Sequence, residues 1–265
     1  MATLQGRCWL AALCIVLGGV FLLSEQICSA TLQVALVHDE SQPSLNKLVA
    51  GMWAYRQWQD NALREYQAQR RFYARNERFN LDSTMEVRTI FRWPYSLEST
   101  VLKQEGSPFI REHVFEKILA AETEEASKDQ ADIIPKNYDF TLLGKGECDG
   151  RRSWHLSMNP KRKDKYLLNG EVWIDAEDYG ICRVQGVPSK RVSLWISNVD
   201  IDKRLRRIEG VWLTDKIEST SDVRFGGKVR VQIEYTYDSV TVRGNNSASH
   251  RPCFAMIEGA CPDRS

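Results

Sequence analysis

The sequence lacks the residue patterns by which most enzymes and metal proteins are recognised. It has four histidines, and no two of them stand at the spacing of a metal-ligand pair such as H-E-x-x-H. It also contains no G-x-S-x-G nucleophile turn, no P-loop and no G-x-G-x-x-G dinucleotide motif. We therefore expect a protein that is not an enzyme and that uses no cofactor or metal ion.

One acidic cluster, made of Asp175, Glu177 and Asp178, has the composition of an acid–base site. It falls in a predicted hairpin turn, where carboxylates are common because their side chains bond to nearby backbone groups. We interpret the cluster as part of the turn rather than as a catalytic pair.

An excess of charge of one sign is missing as well. The 36 lysine and arginine residues nearly balance the 35 aspartate and glutamate residues, which gives a formal net charge of +1. Nucleic-acid-binding domains are usually basic, so we expect no nucleic-acid partner. The basic run Lys161–Lys165 is predicted to be a solvated hairpin tip, with a transient membrane contact through anionic lipid headgroups as the alternative.

Residues 1–30 have the features of a secretory signal peptide. Arg7 precedes an apolar run from Trp9 to Leu23, and small residues precede a predicted cleavage between Ala30 and Thr31. A single-pass membrane anchor is the alternative. The signal peptide predicts export to the periplasm or the cell envelope.

Of the seven cysteines, four remain after this cleavage, and an even number in an exported protein favours disulfides. No two of them form C-x-x-C, so a zinc site is not expected. Four cysteines allow three pairings. We favour Cys253–Cys261, which are close in sequence, and Cys148–Cys182, which adjoin two turns at the same end of the predicted sheet.

Alternating apolar and polar residues, the pattern of half-buried strands, fill most of the chain. The clearest stretch, Tyr166–Ser197, predicts three strands separated by turn signals, the third of them around 192–197. A polar loop is predicted at 198–209. The last strand, at 229–238, alternates most regularly of all.

Two helices are predicted from apolar residues that recur at helical spacing. Ser44 is a candidate N-cap for the first. The second is predicted to begin after Ser107, with Pro108 at its first position and an apolar stripe from Ile110 to Leu119. Both helices are expected to pack on a sheet.

These elements predict a mainly β (α+β) fold: a curved, unclosed antiparallel β-barrel of about ten strands, with two helices covering the concave apolar face. Two helices are too few to cover ten strands, so we expect an apolar hollow that suits an unreactive ligand such as an acyl chain. The cavity candidates are the inward-facing strand residues Val87, Phe140, Leu142, Trp154, Leu156, Val172, Ile174, Leu194, Ile196, Val231, Ile233 and Tyr235.

The order of Gly170, Trp173 and Asp175, followed after a turn by Arg183, resembles the LolA/LolB-like family of outer-membrane lipoprotein carriers and lipoprotein-sorting proteins. The resemblance covers residues 44–242, preceded by a lead-in at 31–43 and followed by a polar tail with a cysteine pair at 243–265. It implies an unclosed barrel with helices as a lid. In the family's carriers an inward-facing arginine holds the lid shut, and both Arg70 and Arg92 are candidates for that role.

The resemblance implies a periplasmic carrier that binds the acyl chains of lipoproteins or phospholipid, for lipoprotein sorting or lipid transfer. The alternative is an interaction or structural module of the cell envelope, whose barrel is filled by its own side chains. An apolar void of several hundred cubic ångströms would favour the carrier. The sequence does not indicate an oligomeric state.

Overall fold

The structure is a computed structural model, and it describes residues 42–94, 96–123, 132–192, 194 and 196–244. Three predictions lie outside these residues: the signal peptide, its cleavage between Ala30 and Thr31, and the Cys253–Cys261 pair.

Two helices and ten strands make up the described chain. The helices are α1 (Leu45–Ala62) and α2, which is built from three consecutive pieces: Pro108–Ile110, the π-helical Arg111–Phe115, and Glu116–Thr123. The strands are β1 (Leu63–Asn76), β2 (Leu81–Arg92), β3 (Ser96–Gly106), β4 (Tyr138–Cys148), β5 (Arg151–Pro160), β6 (Leu168–Asp175), β7 (Ile181–Pro188), β8 (Ile196–Ile208), β9 (Val211–Val223) and β10 (Gly227–Val242).

All ten strands belong to one antiparallel sheet. Their spatial order is β3-β2-β1-β10-β9-β8-β7-β6-β5-β4, so β3 and β4 are the two edges and the sheet is not closed. The predicted fold class, a mainly β chain with about ten antiparallel strands in an unclosed barrel and two helices, is confirmed.

The helices begin where the sequence predicts. Ser44 caps α1, because its Oγ accepts a hydrogen bond from the Lys47 backbone N–H at 3.3 Å. Pro108 starts α2, where a residue without an N–H costs no helical hydrogen bond. No described helix is both long enough and apolar enough to cross a membrane.

Both helices cover the same face of the sheet, called here the inner face. From α1, Leu48 and Met52 pack into a cluster with residues of β4 to β7. From α2, Ile110 and Phe115 pack into a second cluster with residues of β1, β2 and β10. The apolar stripes of the two helices therefore bury the apolar faces of different strands.

The sequence prediction is wrong between β7 and β8. Leu194 was expected inside the barrel, but it lies in a loop before β8 and is 79% exposed. The stretch predicted as a loop, 198–209, is mostly strand β8. Alternation in β8 is hidden because its charged residues are paired across the sheet, as Asp202 is with Arg183 on β7.

Candidate functional site

The candidate site lies on the inner face beneath α2, and its central residue is Arg70. Residues 66, 68, 70, 72 and 74 of β1 share this face because successive strand residues alternate in direction. Arg70 therefore points inward beside Phe72, and only 3% of it is exposed. Arg92, the other arginine considered, is exposed and pairs with Glu98 at 3.1 Å.

Arg70 joins the sheet to α2. Its Nη1 donates to both carboxylate oxygens of Glu122, near the end of α2, at 2.9 and 2.8 Å. Its Nη2 donates to the Ser99 hydroxyl on β3 at 3.1 Å. The Nε of Arg70 is buried and has no hydrogen-bond partner among the described residues. One side chain thus connects β1, β3 and α2.

The surroundings of Arg70 are aromatic. Its guanidinium lies 5.2 Å from the Phe72 ring centre and 5.6 Å from that of Tyr235. Tyr66 is half-buried close by, and burial raises the pKa of its hydroxyl to about 12, with Tyr235 adding to the shift. The hydroxyls of this region are therefore neutral donors and acceptors at neutral pH.

The charge of Arg70 is balanced by one carboxylate. Burial alone lowers the pKa of Arg70, but Glu122 and Tyr235 outweigh burial and hold the pKa above its usual value. Lys203 on β8 is a second inner-face cation, since its cross-strand neighbours are Val184 and Ile217. Burial lowers the pKa of Lys203, Arg56 lowers it further, and Glu122 raises it.

The predicted cavity residues fall into two groups rather than one. Phe140, Leu142, Trp154, Leu156, Val172 and Ile174 belong to the cluster under α1. Val87, Val231, Ile233 and Tyr235 belong to the cluster under α2. Ile196 is half-buried at the start of β8, and Leu194 lies outside.

Two hollows in the described chain lie away from the inner clusters. One, of about 270 Å³, is lined by residues of the β7–β8 loop, among them Lys190, Val192 and Ile196. The other, of about 240 Å³, is lined by Arg71, Tyr73, Gln232 and Glu234. In this structure side chains from the two helices pack into the inner clusters.

The motif residues behind the family resemblance have structural partners on the outer face and at a turn. The Trp173 ring stacks on His155 of β5 at 4.3 Å and faces Arg183 of β7 at 4.6 Å. Gly170 lies opposite Gly186, where a Cβ would overlap the backbone of β7. Asp175 accepts hydrogen bonds from Arg151 at 2.6 and 3.1 Å.

The acidic cluster of Asp175, Glu177 and Asp178 stabilises the turn between β6 and β7. Asp175 Oδ1 also accepts from the backbone N–H groups of Glu177 and Asp178, at 2.9 and 3.0 Å. Asp178 is held by Arg207 at 2.8 Å and by the Trp212 indole N–H. Among the described residues, no group of three His, Cys, Asp or Glu side chains could hold a metal ion.

The sequence offered Arg70 and Arg92 as inward-facing arginines but did not reveal Glu122, the partner of Arg70, or the inner-face Lys203. Glu122 lies 52 residues further along the chain, and no local pattern links the two. Lys203 was missed because it falls in the stretch predicted as a loop. The alternation of charged residues within β8 is the sequence signal that could have identified Lys203.

The chain was compared with known proteins. No protein-family model matches it, and no curated protein matches it. Among solved structures it is similar to an outer-membrane lipoprotein-sorting protein domain from Vibrio parahaemolyticus, at 11% identity and a TM-score of 0.37, covering 76% of this chain and 93% of that one.

Two further solved structures are similar at the same level. A DUF1329 family protein from Desulfovibrio piger is 12% identical, with a TM-score of 0.36 over 76% of this chain and 95% of that one. A LolA superfamily protein from Nitrosomonas europaea is 11% identical, with a TM-score of 0.33 over 76% and 94%. What this chain binds has to be inferred from its own residues.

Proposed function

We propose that this protein is an exported carrier that binds acyl chains of lipoproteins or phospholipid on the inner face of its sheet, beneath α2. The observation that carries the proposal is the ion pair between the buried Arg70 and the partly exposed Glu122, which fixes a helix over an apolar sheet face. The helix would move aside to admit the chain. Export to the periplasm rests on the predicted signal peptide.

The inner face offers an apolar surface that α2 now occupies. Ile110, Phe115 and their helical neighbours cover Phe72, Val87 and Ile233. If α2 swings away, this surface needs another apolar cover, and each methylene group of an acyl chain moved there contributes roughly 0.8 kcal/mol. A long chain would then replace the helix without any polar contact.

The neighbouring edge strand leaves a path to this surface. Val101 of β3 pairs with the buried Val87 of β2, yet it is 40% exposed. Nearly every residue of β3 is exposed, so α2 does not extend over this strand. A ligand could therefore meet the inner face along β3 before α2 moves.

The Arg70–Glu122 pair suits a reversible closure better than permanent packing. An ion pair that contains a buried arginine contributes little more to stability than well-packed apolar side chains, because the arginine loses its hydration. It does fix one position of the helix, and an anionic ligand group can take the place of Glu122. The buried Arg70 Nε adds one unused donor for such a group.

The test is acyl-chain binding by a matched pair of variants. Glu122→Gln removes the charge that holds α2 closed, so fluorescent fatty acid should bind roughly tenfold more tightly, as expected when a charge-assisted hydrogen bond of the closed state is lost. Arg92→Gln removes an exposed arginine of β2 and should leave the affinity unchanged. Equal affinities for both variants and the parent would contradict the role given to the pair.

A second candidate function is an interaction module with a filled interior. It is favoured by the inner clusters themselves, into which side chains of both helices pack. Native mass spectrometry of gently purified protein separates the two candidates. Bound lipid supports the carrier, whereas lipid-free protein in which neither parent nor Glu122→Gln binds fatty acid supports the module.

A further inference from the structure

Four hairpin connections lie at one end of the sheet, called here the basic end. They are the turns at 77–80, 161–167 and 224–226 and the loop that begins at 189–192. The strand register places them together, since Asn76 pairs with Leu81, Val223 with Gly227, and Leu168 with Pro188. α2 begins at the same end, directly after Gly106.

The charge of the chain is unevenly divided between the two ends. The four segments of the basic end contain eight basic and two acidic residues. The turns at the opposite end, at 93–95, 149–150, 176–180 and 209–210, contain four acidic and no basic residues. The four segments of the basic end therefore have six more basic than acidic residues, whereas the four opposite turns together are acidic.

Exposed apolar side chains are concentrated at the same end. Of the twelve large apolar residues that are exposed in the described chain, seven lie there. Single exposed apolar residues are common on soluble proteins, but a concentration at one end marks an interaction surface. The seven are Phe79, Leu81, Phe109, Val187, Val192, Leu194 and Phe225.

Two of the exposed aromatic tips have a cation beside them. Arg78 lies 5.7 Å from the ring of Phe79, and Arg224 lies 5.2 Å from that of Phe225, whereas Phe109 stacks on His113. In the loop after β7, Lys190 and Arg191 precede the exposed Val192. A cation and an exposed apolar tip thus occur together in three of the four connections.

Hydrogen bonds hold these connections in fixed relative positions. Arg78 Nη1 donates to the Phe225 carbonyl at 3.1 Å, which ties two of the turns together. The Ser189 N–H donates to the Leu167 carbonyl at 2.7 Å, and the Asp164 N–H donates to Ser189 Oγ at 2.9 Å. The tips are therefore presented as a preformed surface.

We propose that the basic end is a docking surface for an anionic lipid bilayer. A bilayer surface accepts both kinds of group at once: lysine and arginine lie at the headgroups, while aromatic and aliphatic tips enter the interface. Charge complementarity identifies the lipid as anionic. This inference does not depend on acyl-chain carriage, because it concerns the turns and not the inner face.

Other partners fit the basic end less well. An apolar protein surface would offer no anionic groups to the basic residues of the four segments, of which Lys161 and Arg162 already pair with Asp139 and Asp164. A single-stranded nucleic acid would use the cations and the aromatic rings, but Val187, Val192 and Leu194 offer no ring on which a base can stack. Aliphatic side chains beside lysine and arginine match the interface of a membrane.

The experiment is flotation of the whole protein with vesicles of phosphatidylcholine, alone or with about 30% phosphatidylglycerol. Binding is expected only to the mixed vesicles and should weaken when salt rises from about 50 to about 300 mM. Mass spectrometry checks that all variants have the same N-terminus, so that differences in vesicle binding between them are due to the substituted turns.

Two variants of the basic end each have a matched control. Leu194→Ser with Phe225→Ser removes two exposed apolar tips. Its control is Trp93→Ser, which removes an exposed ring that lies 4.5 Å from Arg64 at the opposite end. Lys190→Gln with Arg191→Gln should weaken binding about fivefold for each lost cation. The control for this variant is Arg71→Gln with Arg88→Gln, which removes the same charge from the middle of the outer face.

Binding that is lost in the two basic-end variants and kept in both controls supports the docking surface. Three results would overturn it: no flotation with any vesicle, equal loss in the control variants, or full flotation by the Leu194→Ser, Phe225→Ser variant. Equal affinity for soluble heparin, undiminished by the loss of the apolar tips, would assign the surface to a soluble polyanion instead.

Discussion

Asp175 fixes the turn between β6 and β7 by accepting hydrogen bonds from Arg151 and from two backbone N–H groups. Its side chain is fully buried. Burial by itself raises the pKa of this carboxyl, but the bonds from Arg151 and the backbone outweigh burial and lower it. The carboxylate is therefore more stable in the folded chain than in the unfolded one.

The sign of the pH effect follows from this lowered pKa. Asp175 contributes stability above its unfolded pKa of about 4, and this contribution is lost as the pH falls through the lower folded value. Asp178 contributes with the opposite sign, since burial raises its pKa. The test therefore compares variants rather than the parent alone.

We expect Asp175→Asn to lower the free energy of unfolding at neutral pH by about 2–4 kcal/mol, because Arg151 loses its buried partner. Below about pH 3 the difference from the parent should shrink. Urea titrations at several pH values measure both effects. Glu177→Gln, which removes an exposed partner of the same arginine, should change stability little, and a constant difference across the pH range would contradict the assignment.

Arg70 shows how far residue-level reasoning from the sequence extends. The alternation of β1 predicts that Arg70 shares a face with Ala68 and Phe72, and it does. The sequence cannot identify Glu122 as its partner, because that contact depends on how α2 crosses the sheet. Long-range ion pairs leave no periodic signal in a sequence.

At the level of elements, alternation predicts the strands whose inner faces are apolar. β2, β5, β6 and β10 follow the expected pattern, and the Ser44 and Pro108 signals locate both helix starts. β8 does not show this alternation of apolar and polar residues, because its charged residues are paired across strands, as Arg206 is with Asp215. The apolar residues before β8 were assigned to a strand, although they form an exposed loop.

This difference between strand and loop predicts a large loss of stability for an aspartate introduced in β10 and a small one for an aspartate introduced in the loop before β8. Ile233→Asp in β10 places a carboxylate at a site that is 3% exposed, and we expect a loss of several kcal/mol in the free energy of unfolding. Leu194→Asp changes a residue that is 79% exposed and should alter stability by less than about 0.5 kcal/mol. Thermal and urea denaturation check both, and a large loss at Leu194 would mean that its loop is buried in solution.

At the scale of the whole molecule, the disulfide between Cys148 and Cys182 reports the curvature of the sheet. The two cysteines lie on β4 and β7, with β5 and β6 between them. In a flat sheet three strand spacings would separate them by roughly 14 Å. Their Cα atoms are only 6.2 Å apart, so this end of the sheet is strongly curved. The sequence predicted the pairing from two turns at the same end of the sheet, and the curvature supplies the short distance that the bond requires.

The disulfide should therefore stabilise the curved end of the sheet. It closes a loop with a sequence separation of 34, for which chain entropy predicts about 3–4 kcal/mol. We expect Cys148→Ser with Cys182→Ser to lower the unfolding midpoint by about 10 °C.

Peptide mapping of the unreduced parent provides the control, since it must recover the 148–182 link. Free thiols at these positions, or links to Cys253 or Cys261, would contradict the pairing. An unchanged midpoint in the serine variant would instead show that β5 and β6 hold the curvature without the bond.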